Sequence, residues 1–122
     1  MTDETLRIQK LLSDIDKSAK RILERMEGVT KDYLSQETSM DIQDIVIRRL
    51  SIIGEASARL LSKHPDFCSE NPQIPLHEAR GLRNVIIHDY DGIKWNVIWD
   101  TIHTNLPPLI KTIEPFLSED NE

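Results

Sequence analysis

Ile8, Leu12, Ile15, Ala19, Ile22 and Met26 return at intervals of three and four, the period of a single helix face, and predict an amphipathic helix over residues 3–26. Thr2 is placed to cap its start, Asp3 and Glu4 suit the first turn, and Gly28 ends it. A short polar connection follows at Asp32-Tyr33-Leu34. Ile42, Val46, Leu50, Ile53, Ala56 and Leu60 form the next stripe, so a second helix is predicted from a cap at Thr38 or Ser39 to about Lys63, stopped by His64-Pro65. Gly54 in its middle costs about 1 kcal/mol relative to alanine and marks the close approach of another helix. Residues 65–74 read as loop. Pro75 fits the first position of a third helix through Leu76–His88, and Asp91-Gly92 is a turn signal. A fourth helix over Ile93–Thr104 carries Trp95, Ile98, Trp99 and Ile102 on its apolar side. Pro107-Pro108 kinks or restarts it, with Leu109, Ile110, Ile113 and Phe116 beyond.

Long helices joined by short connections predict an all-α protein, an antiparallel bundle of four to five helices. At 122 residues the chain suits one domain, with a frayed acidic tail at 118–122. Composition supports that reading: 39% hydrophobic and 30% charged is ordinary for a globular chain, and only 5% aromatic residues disfavours an all-β fold. No apolar run approaches the roughly 18–20 residues of a membrane span, the N-terminus lacks the plan of a signal peptide, and one cysteine forms no internal disulfide, so a cytoplasmic protein without membrane association is expected.

The net charge of −6 argues against a general nucleic-acid coat, and DNA is not an expected partner. Charge is unevenly spread, however. Residues 1–47 carry −3, residues 95–122 carry −4, and residues 48–94 carry +1. A site for an anion has to lie in that middle stretch.

Candidate chemistry concentrates there as well. On a helical wheel His77, Gly81, Asn84 and His88 fall on one side, with Gly81 leaving room for a ligand or another backbone. A solvated polar face is the plainer reading. Arg83 and His88, five residues apart, point about 140° away from each other on a regular helix, so a fraying helix end or a two-fold axis has to bring them together. Together they suit attack at phosphorus: a neutral imidazole takes the proton of a ribose 2′-hydroxyl, and a guanidinium holds charge on phosphoryl oxygens. Glu55 is placed to orient either of them, or to serve as an ordinary surface carboxylate. Arg48, Arg49, Arg80 and Lys94 are candidates for an RNA groove, surface charge being the default. His77 and His88 lie too far apart to share a metal, and no His-x-x-x-His or Cys-x-x-Cys pair exists, so no metal centre is expected. Cys68 falls in the expected loop without a base beside it. His64 and His103 read as structural, and Trp95 and Trp99 as core.

The segment Gly81-Leu82-Arg83-Asn84-Val85-Ile86-Ile87-His88-Asp89-Tyr90 resembles the Arg-x-x-x-x-His-x-Tyr signature of HepT-like toxins of the HEPN superfamily. Ile52-Ile53-Gly54-Glu55-Ala56, Ile74-Pro75 and the stretch from Trp99 to Leu106-Pro107 agree with the same family, in order, across most of residues 40–110. His77 departs from it, since relatives commonly carry tryptophan after the proline. The resemblance implies an α-helical, HEPN-like homodimer paired with a small nucleotidyltransferase antitoxin. It implies a metal-independent endoribonuclease acting on RNA without a cofactor, with Arg83 and His88 catalytic, Asn84 and Glu55 supporting, and Tyr90 silenced by attachment of AMP. A catalytically idle binding subunit of a nucleotidyltransferase complex would share the motif, and a plain interaction bundle would leave Arg83 unconstrained.

Overall fold

The computed structural model describes residues 2–87 and 92–117, all α-helix, 3-10 turn or connection, with no strand among them. The all-α expectation is borne out. The first helix, α1 (Asp3–Met26), follows its stripe: Leu12, Ile15, Ala19 and Ile22 are fully buried, Thr2 accepts from the Thr5 amide at 3.0 Å, and Gly28 leaves the helix at φ +79°. The polar connection contains one turn of helix, α2 (Lys31–Leu34), capped by Thr30 and anchored by the fully buried Leu34.

A 3-10 turn, Glu37–Ser39, leads into α3 (Met40–Lys63). Ser39 stands at the cap position as expected, yet its hydroxyl does not cap; it donates to the Leu34 and Gln36 carbonyls at 2.8 Å and ties the turn back to α2. Arg49 lies 3.5 Å from Ser18 and His64 lies 3.6 Å from Glu4, so α1 and α3 run antiparallel.

The stretch expected to be loop opens with α4 (Pro65–Glu70), in which Pro65 occupies the first turn, where its missing N–H costs nothing. Phe67 supplies the tertiary anchor, edge-on to Phe116 at 5.4 Å.

The largest departure concerns the third predicted helix. It is broken into α5 (Leu76–Arg80), a 3-10 turn (Gly81–Arg83) and α6 (Asn84–Ile87), with Pro75 at the cap rather than the first helical position. The reason lies in the spacing of its apolar residues. Leu76, Ala79 and Leu82 are buried and Val85 is partly buried, each three residues after the last. A regular α-helix would drift about 60° per such step and carry Val85 to the opposite side from Leu76. The 3-10 turn, at three residues per turn, keeps Leu82 on the core.

The last helix, α7 (Trp95–Leu117), runs on through Pro107, Pro108 and Pro115, neither restarting nor ending where the sequence suggested. Pro107 and Pro108 are exposed, as are His103 and Thr104, whose carbonyls lose their i+4 donors, so water can satisfy them. Ile98, Ile102, Leu106, Leu109 and Ile113 meanwhile stay in phase on the buried side. Gln9 of α1 donates to the Phe116 carbonyl at 3.4 Å and Lys31 of α2 meets Asp100 at 3.1 Å, so α7 runs back along the path from α1 to α2. The buried side chains of α1, α3, α5 and α7 form one continuous core, with α3 between α1 and α5. Trp95 and Trp99 pack partly buried against it. None of the described helices is long and apolar enough to cross a membrane.

Candidate functional site

Arg83 closes the 3-10 turn, and that turn lies directly on α3 at Gly54. A methyl group built on Gly54 would sit 3.0 Å from the Arg83 Cβ, 3.2 Å from its Cγ and 3.2 Å from its backbone nitrogen. The mid-helix glycine thus marks a close approach, as expected, and the group approaching is the base of the arginine side chain. Beyond that contact Arg83 is exposed, and its guanidinium enters no ion pair or hydrogen bond among the described residues.

The side chain opens on a cavity of about 1100 Å³ between the second half of α3, α4 with its following loop, and α5. Glu55, Arg59 and Lys63 line it from α3, and His77, Arg80 and Arg83 from the facing side. Glu78 adds a second carboxylate. Four cationic side chains therefore face two carboxylates within a chain of net charge −6. None of the six forms an ion pair within 4.0 Å among the described residues. Unpaired guanidinium groups converging on a concave surface suit a ligand carrying phosphate, which they grip through charge-assisted, often bidentate hydrogen bonds.

Of the residues singled out from the sequence, Arg83 and Glu55 share this cavity, joined by His77 and Arg80. Asn84 is exposed but does not line it. The 3-10 turn explains this: each of its residues turns about 120° rather than 100°, which moves Asn84 out of line with His77. His88 and Tyr90 lie outside the described residues, as does Asp89. Cys68 sits in α4 and not in a loop, and it lines the cavity; burial pushes its thiol pKa up, which keeps it protonated and makes it a poor nucleophile. Among the described residues no group of three or more His, Cys, Asp or Glu side chains is gathered as a metal site.

A family described as ribonuclease HepT-like matches residues 15–116. The chain belongs to the ribonuclease HepT-like family. The resemblance read from Arg83 to Tyr90 and from the Gly54 segment is borne out. A Methanocaldococcus jannaschii protein named as a putative RNase is 35% identical over 107 residues, covering 88% of this chain and 94% of its own. A Thermococcus cleftensis protein named "Probable ribonuclease HepT" is 35% identical over 89 residues, covering 71% of this chain and 78% of its own. A relative from Caldanaerobacter subterraneus, also named as a putative RNase, is 29% identical over 100 residues, or 81% of this chain and 84% of its own. No solved structure matches the chain.

Within this HepT-like fold the sequence reading missed Arg59 and Lys63. The signal was present: Glu55, Arg59 and Lys63 follow one another at i, i+4 and i+8, a charged line one step off the apolar stripe of α3. Of the four cations that it offered for an RNA groove, Arg48, Arg49, Arg80 and Lys94, only Arg80 reaches the cavity. Arg49 turns toward Ser18 on α1, and Arg48 and Lys94 are exposed elsewhere.

Proposed function

We propose that this protein is a metal-independent endoribonuclease, the toxin of a toxin–antitoxin pair, acting in the cytoplasm as a homodimer. The observation that carries the reading is Arg83, held at its base by Gly54 and presented to a basic cavity without an ion pair among the described residues, five residues before His88. The family and the names of its relatives support a ribonuclease role.

In the reaction proposed, the neutral imidazole of His88 takes the proton of a ribose 2′-hydroxyl. The 2′ oxygen attacks the adjacent phosphorus, the bond from phosphorus to the 5′ oxygen breaks, and that oxygen leaves and is protonated. The products are a 2′,3′-cyclic phosphate and a 5′-hydroxyl. Arg83 binds the non-bridging oxygens, where charge builds up as the bond forms. Glu55 and Asn84 are supporting residues, Glu55 from within the same cavity. Cleavage of RNA by the purified protein is expected to persist in EDTA and to leave cyclic phosphate ends. Activity lost in EDTA and restored by magnesium would overturn the mechanism.

Silencing is assigned to Tyr90, two residues beyond His88. AMP attached there by a cognate nucleotidyltransferase antitoxin places phosphate within the motif and competes for the Arg83 charge. A charge-assisted pair of that kind is worth roughly 1.5–3 kcal/mol, about tenfold or more in RNA affinity. Co-expression with the nucleotidyltransferase should add AMP-sized mass increments to the wild type and none to Tyr90→Phe. Increments that persist on Tyr90→Phe would remove the tyrosine from the scheme.

A further inference from the structure

The Arg83 cavity does not end at α3. A second cavity of about 550 Å³ opens on the other flank of the same helix, walled by the first turns of α1, and Arg59, Lys63 and His64 form its α3 side. Arg59 and Lys63 line both. One turn apart and both exposed, they form the ridge between the two hollows. Arg7 and Lys10 stand on the far side of the second hollow, Arg80 and Arg83 on the far side of the first. The two cavities together gather six of the chain's 15 basic side chains and only three of its 21 acidic ones, Glu4, Glu55 and Glu78. An even spread of charge over an acidic chain would give the reverse balance.

Five of the six cations have no ion pair among the described residues. The sixth, Lys10, meets Asp14 at 3.1 Å in an exposed pair that is worth little and easily exchanged. A structural role would couple these charges to carboxylates; here they line two neighbouring hollows and the ridge between them. From Gly54, where Arg83 docks, to Lys63 they extend roughly 14 Å along α3, longer than a single nucleotide, and continue toward α1.

We propose that single-stranded RNA crosses the Arg59–Lys63 ridge on its way from the Arg83 cavity to the hollow against α1, with Arg59 and Lys63 holding backbone phosphates remote from the scissile bond. The inference rests on the ribonuclease reading and adds to it a second, binding-only segment. It makes affinity depend on RNA length: a strand short enough to occupy the Arg83 cavity alone meets the ridge from one side only, whereas a longer strand crosses it and gains more from it.

The test uses fluorescence anisotropy with random-sequence RNAs of 4 and 12 nucleotides, in a His88→Ala background so that the probe is not cut. Arg59→Gln with Lys63→Gln should weaken the 12-mer by tenfold or more and the 4-mer by at least threefold less than that, and lower the salt slope for the 12-mer by about 1.4, two contacts at about 0.7 each. Lys17→Gln with Lys111→Gln removes the same charge from outside both cavities and should change neither affinity by more than about twofold. All four side chains are exposed, and unchanged melting of the variants checks the fold. Equal weakening by the two double variants means that net charge and not the ridge is at work, and overturns the proposal. So does 12-mer affinity at the parent level in the ridge variant, including the case in which that variant loses an acidic protein partner instead. A parent protein that binds RNA of neither length removes the ribonuclease reading itself, and the ridge with it.

Discussion

Arg83→Ala should lower kcat/KM for RNA cleavage by about 10²–10³-fold, the usual effect of removing one preorganised donor from a developing oxyanion. Its effect on stability should stay within about 0.5 kcal/mol, because the side chain is exposed, has no ion pair among the described residues, and alanine keeps the Cβ that rests on Gly54. That combination separates a catalytic arginine from one that braces the fold. Single-turnover rates with purified protein, alongside thermal melting, provide the check. Two comparisons sharpen it. Arg83→Lys keeps the charge but not the planar fork, so it should recover only part of the loss. The double variant with His88→Ala should be no slower than the slower single variant, since two groups acting in one step are not additive. Cleavage at the wild-type rate by Arg83→Ala would leave a helical bundle without this site.

Fold and site were legible to different degrees, and the difference follows from which physical rule dominates each segment. The stripes of α1 and α3 hold the α-helical period over more than five turns, and both helices have the bounds expected from them. Segment 65–70 escaped because a six-residue helix is too short for a period to show; it is held by Pro65 at its start and by the Phe67–Phe116 contact, and the latter is a fact of the tertiary structure. Segment 76–87 was misread for another reason. Its first four apolar residues, Leu76, Ala79, Leu82 and Val85, keep a period of three, and that period argues against an uninterrupted α-helix. The polar wheel built from His77, Gly81 and Asn84 assumed the wrong turn angle. Pro107 and Pro108 were read as kinking or restarting the helix because proline removes a donor; the helix does not restart, since on its exposed side, with its stripe intact, the freed carbonyls reach water. The Arg83 motif was legible as a resemblance. The cavity around it was not, because Arg59 and Lys63 meet Arg80 and Arg83 only when α5 folds across α3.

Gly54→Ala is the substitution in which fold and site are hardest to separate, and two readings resolve them. Alanine gains about 1 kcal/mol of helix propensity over glycine. Against that, the new methyl would stand 3.0 Å from the Arg83 Cβ and 3.2 Å from its backbone nitrogen. Neither atom is the far end of a flexible side chain, so the whole Gly81–Arg83 turn has to shift. Overpacking of this sort costs about 1–3 kcal/mol, and the net result is a loss of up to about 2 kcal/mol, a fall in Tm of several degrees. Gly81→Ala makes the opposite case: nothing lies within 4 Å of a methyl there and φ is −71°, so its Tm should hold or rise. The larger effect of Gly54→Ala should be on rate. A displacement of about 1 Å in a catalytic group can cost about 10²-fold, so cleavage should fall ten- to a hundredfold even at temperatures where the variant is fully folded. If the loss comes through Arg83, it should vanish once Arg83 is alanine: Gly54→Ala added to Arg83→Ala should slow cleavage no further. A Gly54→Ala protein that cleaves at the wild-type rate, or one whose loss persists in full without the arginine, would show that the glycine serves the core of α3 and not the placement of Arg83.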